Sequence, residues 1–462
     1  MKSSVSVVIL AAGLGTRMKS KMAKVLHRAG GMTLIEQVVE TAAAIAAADR
    51  TVVVLGHQAA RVQEVTAHTG VSYAVQTEQK GTGHAVMCCR DSVPENGLLV
   101  VLYGDAPLIS ASTLRELIGR QEASNTAATV LTTMLDDPSG YGRVIRDAEG
   151  NVAAIVEEKA ATPEQAKVRE INSGIYCFDA ALLWKHIDEI GTDNPAKEYY
   201  LTDIVEIFRR AGHKVAPMQL ASPEEVLGIN TRVELAEVDR LFRARTVNRL
   251  MLEGVTIERP ETVTIDAQVR IGCDTVIEPF TRILGSTVIG EDCRIGAHSI
   301  IESSRLADGV EVGAYTIIGT SVVETGAIIG PFARLRLDNH VGAGAHIGNF
   351  VELKKTRIGP GAKANHLAYL GDSTIGAKVN IGAGTITCNY DGKKKHQTQI
   401  GDGAFVGSNS TLVAPVVVGA GSYIGAASVI TKTVPEGALA IGRGHQVNKD
   451  GWVKRKKEGT GC

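Results

Sequence analysis

Apolar residues follow two different rhythms along this chain, and the change of rhythm divides it. Before Gly254, short runs rich in Val and Leu and bounded by glycine, "VSVVIL", "TVVVLG" and "LLVVLYGD", alternate with segments of helical apolar spacing, "TLIEQVVETAAAIAAA" and "STLRELIGRQEAS". That alternation predicts a mostly parallel sheet with helices on both faces. "EYYLTDIVEIFRRAG" and "TRVELAEVDRLFRARTVNRLMLEG" follow as long amphipathic helices, the second placed as a connector between two bodies. Ligands of such sheets gather at the carboxyl ends of strands. The Gly13-Gly15 loop, Gly56-His57 and Tyr103-Gly104-Asp105 all fall there.

After Gly254 an aliphatic residue recurs at every sixth position. Ile271, Ile277, Ile283, Ile289, Ile295 and Ile301 form one run; Val323, Ile329, Leu335, Val341, Ile347 and Leu353 a second; Ile400, Val406, Leu412, Val418, Ile424 and Ile430 a third. Glycine often comes next, as in Ile271-Gly272 and Val341-Gly342. Six is the period of neither a helix nor an ordinary sheet. It predicts a parallel β-helix, whose units bury their aliphatic residue only by stacking on one another. The period fails between Thr387 and Ile400, so "CNYDGKKKHQTQ" leaves the coil as a loop.

With 462 residues, the chain exceeds one ordinary core, and two domains or more are expected. Its 49 basic and 50 acidic residues nearly balance, which argues against a duplex nucleic-acid binder. Local basicity is confined to the tail "KDGWVKRKK". Seven cysteines without paired spacing point to a reducing, cytoplasmic setting. Neither a cleaved leader nor a membrane span is indicated.

The chemistry begins at "LAAGLGTRMKSKMAKVLH". A strand runs into a Gly-x-Gly turn, but Met18 stands where a dinucleotide fingerprint has its third glycine, and no Gly-Lys-Ser/Thr follows. What remains is a backbone-amide loop for phosphate with Arg17 and Lys24 beside it. In the β-helix, three hexads to a coil place Arg336 and Lys354, eighteen residues apart, above one another. Two stacked cations repel, so they point to an anion such as a substrate phosphate. His366, in "KANHLAYLGD", is either a packed histidine or a base. His298, His340, His346 and His366 also admit an alternative, zinc held between subunits.

Taken in order, "LAAGLGTRM", "EQKGTGHA", "LYGDAPL", "DDPSGYGRV", "EINSGIY", "GPFARLR", "HIGNFVELKK", "NHLAYLGD" and "NIGAGTITCNYDG" carry a resemblance over essentially the whole chain. It is to the bacterial bifunctional N-acetylglucosamine-1-phosphate uridylyltransferase/glucosamine-1-phosphate acetyltransferase family. Single-activity sugar nucleotidyltransferases share the first motif and lack the last four. The resemblance implies a Rossmann-like nucleotidyltransferase domain over 1–230, a linker helix over 231–253, a left-handed parallel β-helix over 254–445 and a basic tail over 446–462. It implies acetyl transfer from acetyl-CoA to glucosamine 1-phosphate, then uridylyl transfer from UTP to N-acetylglucosamine 1-phosphate with release of pyrophosphate. The product, UDP-N-acetylglucosamine, feeds peptidoglycan and lipopolysaccharide synthesis.

The resemblance also implies roles. Leu10, Gly13, Gly15 and Tyr103 line the nucleotide site, Arg17 and Lys24 meet phosphate, and Gln76, Gly81 and Thr82 meet the uracil. Asp105 and Asn230 hold Mg²⁺, and Gly140, Glu157 and Asn172 take the sugar. In the second half His366 is the base, Arg336 and Lys354 bind the sugar phosphate, and Tyr369, Asn380, Asn389 and Tyr390 surround the sugar and reaction centre. Ser408, Ala426 and Arg443 contact coenzyme A. The family forms homotrimers with acetyl-transfer sites between neighbouring β-helices, and the extruded loop reads as an arm toward a neighbour. The alternative is a single-activity nucleotidyltransferase with the β-helix as trimerisation scaffold. Two positions depart from the family: Ala23 replaces the proline of "PKVLH", which leaves Lys24 less preorganised, and Leu337-Asp338 replaces "PG" after Arg336.

Overall fold

The computed structural model describes residues 4–457; the end of the basic tail, 458–462, lies outside the described residues. The chain divides between Phe242 and Arg243 into two compact units.

The first unit is built on strands β1 (Val5–Leu10), β2 (Thr51–Leu55), β3 (Ser72–Val75), β4 (Leu98–Tyr103), β5 (Ala128–Met134), β6 (Glu170–Asp179) and β7 (Val215–Leu220). Their order in the sheet is β7-β5-β6-β4-β1-β2-β3. All neighbours are parallel except β6, which runs antiparallel to both β4 and β5. Both faces are covered, which is why these strands read as unbroken apolar runs. Val8, Val52, Val54 and Val101 face one cluster with Phe208; Val7, Ile9, Val53 and Val100 face the other with Ile35 and Leu117. Helices α1 (Leu34–Ala43), α2 (Ala59–Thr66), α3 (Thr82–Met87), α4 (Ala111–Ala123) and α5 (Ile204–Arg210) connect them. Thr33 and Glu36 cap α1 reciprocally, satisfying two amides that the first turn would leave unpaired.

"EYYLTDIVEIFRRAG" is not one long helix. A short turn, Leu201–Asp203, precedes the seven-residue α5. The reason is lateral bonding: Tyr199 O accepts from Gly83 N (2.8 Å) and Leu201 N donates to Thr82 Oγ1 (3.0 Å), so this backbone serves α3 instead of a helix of its own. α6 runs from Arg232 to Leu252, 21 residues, and Glu234 accepts from the Asn230 and Thr231 amides at its start.

The second unit is a parallel β-helix of three sheets with 11, 10 and 9 strands. Every aliphatic residue of the three hexad runs is buried. Stacked coils pair Leu335 with Leu353 and Ile283 with Ile301, each eighteen residues on. Inward threonines and serines at the corners bond to carbonyls of the coil, as Thr281 Oγ1 does to Glu278 O (2.8 Å) and Ser410 Oγ to Gly407 O (2.6 Å). Between the runs one side shortens to five residues, as from Ile301 to Leu306 and from Leu353 to Ile358, where Ser303 (φ 46°) and Lys355 (φ 51°) turn the corner in the left-handed region. On another corner Phe280, His298, Tyr315, Phe332 and Phe350 stack ring on ring at 4.8–5.3 Å.

The extruded loop is a tight hairpin. Tyr390 and Lys395 bridge antiparallel, and Asp391 Oδ1 accepts from the Lys393 (2.7 Å) and Lys394 (2.6 Å) amides while Oδ2 meets His396 (2.7 Å). These contacts hold the Asp391 carboxyl well below the usual carboxylate range.

Candidate active sites

In the first unit, the last registers of the sheet bring the chemistry together. Leu10 pairs with Val54 on one side and Tyr103 on the other, so the loops after these strands open side by side. They border a cavity of ≈ 450 Å³ lined by Leu10, Gly13, Gly15, Lys24, Gln76, Gly81, Thr82, Tyr103 and Asp105, among others. Gly15 is held at φ 62°, and a side chain there would press on Lys24 Cβ at 2.7 Å. Gly13 differs: a Cβ would meet no atom within 4 Å. The protein's own packing does not require glycine at Gly13, which leaves close approach of a ligand to the backbone as its use.

Lys24 Nζ pairs with Asp105 Oδ2 and donates to Asn230 Oδ1 (3.1 Å), and Arg17 donates to the same Asn230 oxygen (2.8 Å). Two hard oxygen donors therefore already converge on one cation, a donor set suited to Mg²⁺. Tyr103 is fixed against Gly174, where a Cβ would lie 2.6 Å from its ring. Burial, above all, with the Glu157 and Asp105 charges, pushes its phenol up.

Of the residues expected to take the sugar, Asn172 lies on β6, while Gly140 and Glu157 lie outside the strands. Burial raises the Glu157 carboxyl, against which the Thr202 hydroxyl at 3.4 Å acts as a hydrogen bond. Asn172 N donates to Gly142 O (2.9 Å), while its side chain spends Nδ2 on Tyr176 (2.7 Å) and Oδ1 on Gly174 N (3.0 Å). Gly140 turns at φ 86° just before Tyr141.

In the second unit the predicted residues form three groups. Arg336 and Lys354 stack in adjacent coils, Arg336 N donating to Leu353 O (2.9 Å), and Arg336 Nη1 also meets Glu352 (3.2 Å). Lys395, from the hairpin, lies against Lys354 and, ahead of desolvation and Arg336, lowers its ammonium. Asn389 Nδ2 bonds Asp372 and reaches Tyr369 Oη (3.5 Å), and exposed Tyr390 bonds Gly392 O (2.7 Å). His366, exposed, stands beside Asn349 in register. Asn380 pairs in register with Lys363. Arg443 Nη1 donates to Ala426 O (2.9 Å), and Ala427 N, next to Ala426, donates to Ser408 O (2.7 Å). Among the described residues no hydrogen bond or ion pair links His366 to Lys354 or to the Ser408-Arg443 group.

Residues 7–156 match the MobA-like NTP transferase domain family, residues 268–303 and 397–432 the bacterial transferase hexapeptide repeat, and 286–331 the hexapeptide repeat of succinyl-transferase. The chain is 58% identical to the protein named bifunctional protein GlmU of Solibacter usitatus (strain Ellin6076), over 99% of this chain and 98% of that one. It is 50% identical to the protein so named in Koribacter versatilis (strain Ellin345), over 98% and 97%. The chain belongs to the GlmU family.

Membership makes this an NTP-transferase domain followed by a left-handed hexapeptide β-helix, a bifunctional transferase using a nucleotide and an acyl-CoA donor. No helix among the described residues is long and apolar enough to cross a membrane. Within one chain His298 sits in the ring stack and His340 pairs with Glu324 (2.7 Å).

The Ala23 departure from the GlmU pattern has a local answer. Ala23 keeps a proline-like φ of −56°, and its N–H, which proline lacks, donates to Gln58 Oε1 (3.1 Å). Gln58 Nε2 also donates to Lys21 O (2.5 Å), so one side chain clamps the loop before Lys24. Lys24 is therefore held where preorganisation was expected to slacken. Asp338, exposed, takes φ 51°, a conformation that Asp tolerates better than most residues. Sequence reasoning missed Gln58, Lys395 and Asp372: each acts across a turn or between coils, with no local spacing to mark it.

Proposed function

We propose that the chain makes UDP-N-acetylglucosamine in two steps, acetylating glucosamine 1-phosphate and then joining the product to the uridylyl group of UTP. What carries this reading is full-length identity to GlmU proteins with a cation cluster built into each unit.

In the first unit the nucleophile is a sugar phosphate, already anionic near neutral pH, so the site has to neutralise charge and align instead of removing a proton. The phosphate oxygen attacks the α-phosphorus of UTP, and the bond to the β-phosphate oxygen breaks to release pyrophosphate. Arg17 and Lys24 offset the charge of the leaving phosphates, and the Gly13-Gly15 backbone approaches them. Asp105 and Asn230 would hold Mg²⁺, which would supply stabilisation of negative charge on the phosphates. Gln76, Gly81 and Thr82 face the base, with Leu10 and Tyr103 walling the nucleotide site, and Gly140, Glu157 and Asn172 orient the sugar.

In the second unit Arg336 and Lys354 bind the sugar phosphate, which relieves their mutual repulsion. His366 takes the proton of the sugar ammonium, the freed amine attacks the thioester carbonyl of acetyl-CoA, and the carbon–sulfur bond breaks. Tyr369, Asn380, Asn389 and Tyr390 frame the sugar; Ser408, Ala426 and Arg443 take the coenzyme. The three groups, separate along one β-helix, meet between neighbouring subunits of a homotrimer, working in the cytoplasm where these substrates are found.

The test follows coenzyme A and UDP-N-acetylglucosamine together from glucosamine 1-phosphate, acetyl-CoA, UTP and Mg²⁺. Unaltered protein is expected to release both. His366→Ala is expected to release neither from glucosamine 1-phosphate yet make the nucleotide sugar from ready-made N-acetylglucosamine 1-phosphate. Nucleotide sugar formed only from the ready-made substrate by unaltered protein would reduce the β-helix to a scaffold.

A further inference from the structure

Gln76 lies at the base end of the first cavity, and its carboxamide can turn either way: an amide group offers donors from one branch and an acceptor from the other. Which branch faces the ligand decides which edge of a pyrimidine fits. The structure fixes the choice through two neighbours. Gln76 Nε2 donates to Gly81 O at 3.0 Å, and a carbonyl oxygen can only accept, so the oxygen branch cannot occupy that position. The same Nε2 lies 3.1 Å from His84 Nδ1.

An amide nitrogen has two hydrogens, and these two partners consume both. Because Nε2 is the donor, His84 Nδ1 has to be the acceptor, which puts the proton of the neutral ring on Nε2. That nitrogen faces Cys88 Sγ at 4.0 Å, a weak acceptor that suits this tautomer. The ring itself is held beside Tyr199, with centroids 6.1 Å apart. His84 does not line the cavity; it stands behind Gln76. Gln76 is only 3% exposed, and its Oε1 has no hydrogen bond among the described residues.

We propose that His84 is a positioning residue for base selection: with the Gly81 carbonyl it occupies both hydrogens of the Gln76 amide and leaves only the acceptor Oε1 to the base. Uracil offers an N–H at ring position 3 and is accepted. Cytosine carries a lone pair at that position and is opposed by the oxygen, so the lock selects UTP over CTP. A misaligned pair of acceptors is costly in a buried site because neither regains water. This rests on the uridylyl-transfer reading of the first unit, and extends it from which residues touch the base to what makes one of them selective.

The test measures pyrophosphate release by the full-length protein from N-acetylglucosamine 1-phosphate with either UTP or CTP. In His84→Phe the ring shape stays and the acceptor goes. The expected result is a fall of about tenfold in kcat/KM for UTP, carried mainly by KM, and a fall of similar size in the UTP-to-CTP ratio. His84→Asn, whose side-chain oxygen can accept from Gln76, is expected to recover most of the ratio. His84→Leu serves as a second variant without an acceptor if phenylalanine does not fit, and acetyl transfer by the second unit reports intact protein. Equal losses with both nucleotides, or an unchanged ratio, would overturn the assignment while leaving uridylyl transfer standing. Unaltered protein that transfers neither nucleotide would remove the uridylyl-transfer reading and this assignment with it.

Discussion

Arg336 and Lys354 stand one above the other in successive coils of the β-helix, two cations at the position after the buried aliphatic residue. Lys395 adds a third beside Lys354 and depresses its ammonium below the usual lysine range of 10.5. A lowered lysine means that the folded state binds fewer protons than the unfolded one. Its penalty is therefore largest below its folded value and fades as pH rises toward 10.5.

A bound phosphate reverses this by supplying the missing anion. Lys354→Gln is expected to weaken glucosamine 1-phosphate binding about 10- to 100-fold, the range of a lost charge-assisted hydrogen bond, as measured by titration calorimetry. It should leave uridylyl transfer unaltered. Unchanged sugar-phosphate affinity would disconnect the cation stack from the substrate.

Gly13 and Gly15 are two residues apart and should respond oppositely to alanine. Gly15→Ala forces a left-handed φ and a contact with Lys24, and should cost about 1 kcal/mol or more of stability in urea unfolding. Gly13→Ala has open space and should leave stability unchanged, yet slow uridylyl transfer at least tenfold because the methyl group intrudes where nucleotide approaches. A Gly13→Ala enzyme of full activity would show that no ligand comes close to that backbone.

Glu157 provides a pH prediction. Burial raises its carboxyl above 4.5, so the folded state holds the proton more firmly than the unfolded chain. Stability from this group is present below 4.5 and is lost as pH rises through the folded value. Glu157→Gln should therefore be more stable than the parent at pH 7, converge with it in acid, and bind N-acetylglucosamine 1-phosphate less well. Parallel stability curves for the two proteins from pH 4 to pH 7 would contradict the assignment.

Gln58 is expected to matter although it lies outside the phosphate site. Gln58→Ala removes both bonds of the clamp, and the looser approach to Lys24 should raise KM for UTP about threefold to tenfold with acetyl transfer unaffected. Ala23→Pro in the same background tests the explanation, since proline restricts the loop without needing the lost acceptor.

Legibility from sequence followed the range of the interaction. The hexads were readable because each aliphatic residue is buried by a rule that repeats locally, and β1, β2 and β4 because both faces are covered. The antiparallel direction of β6 was not readable, since nothing in "EINSGIYCFD" encodes which way it enters the sheet. The five-residue sides interrupted the count because a corner such as Ser303 arrives one residue early. Lys24 was legible beside the glycine loop, Asp105 at the end of a strand and Asn230 by resemblance alone, and their meeting at one ammonium needed the fold. Lys395 was hidden in a run of three lysines whose bland reading is a solvated surface.

The hairpin at 388–397 interrupts the period without interrupting the ladder. Ile375 pairs with Ile400, twenty-five residues later, in the register by which Ile358 pairs with Ile375 after seventeen. The column of buried side chains does not record the difference. This rod therefore measures distance in turns and not in residues: chain can be spliced in at a corner while every coil above and below keeps its place, like a bookmark that does not change the page numbers.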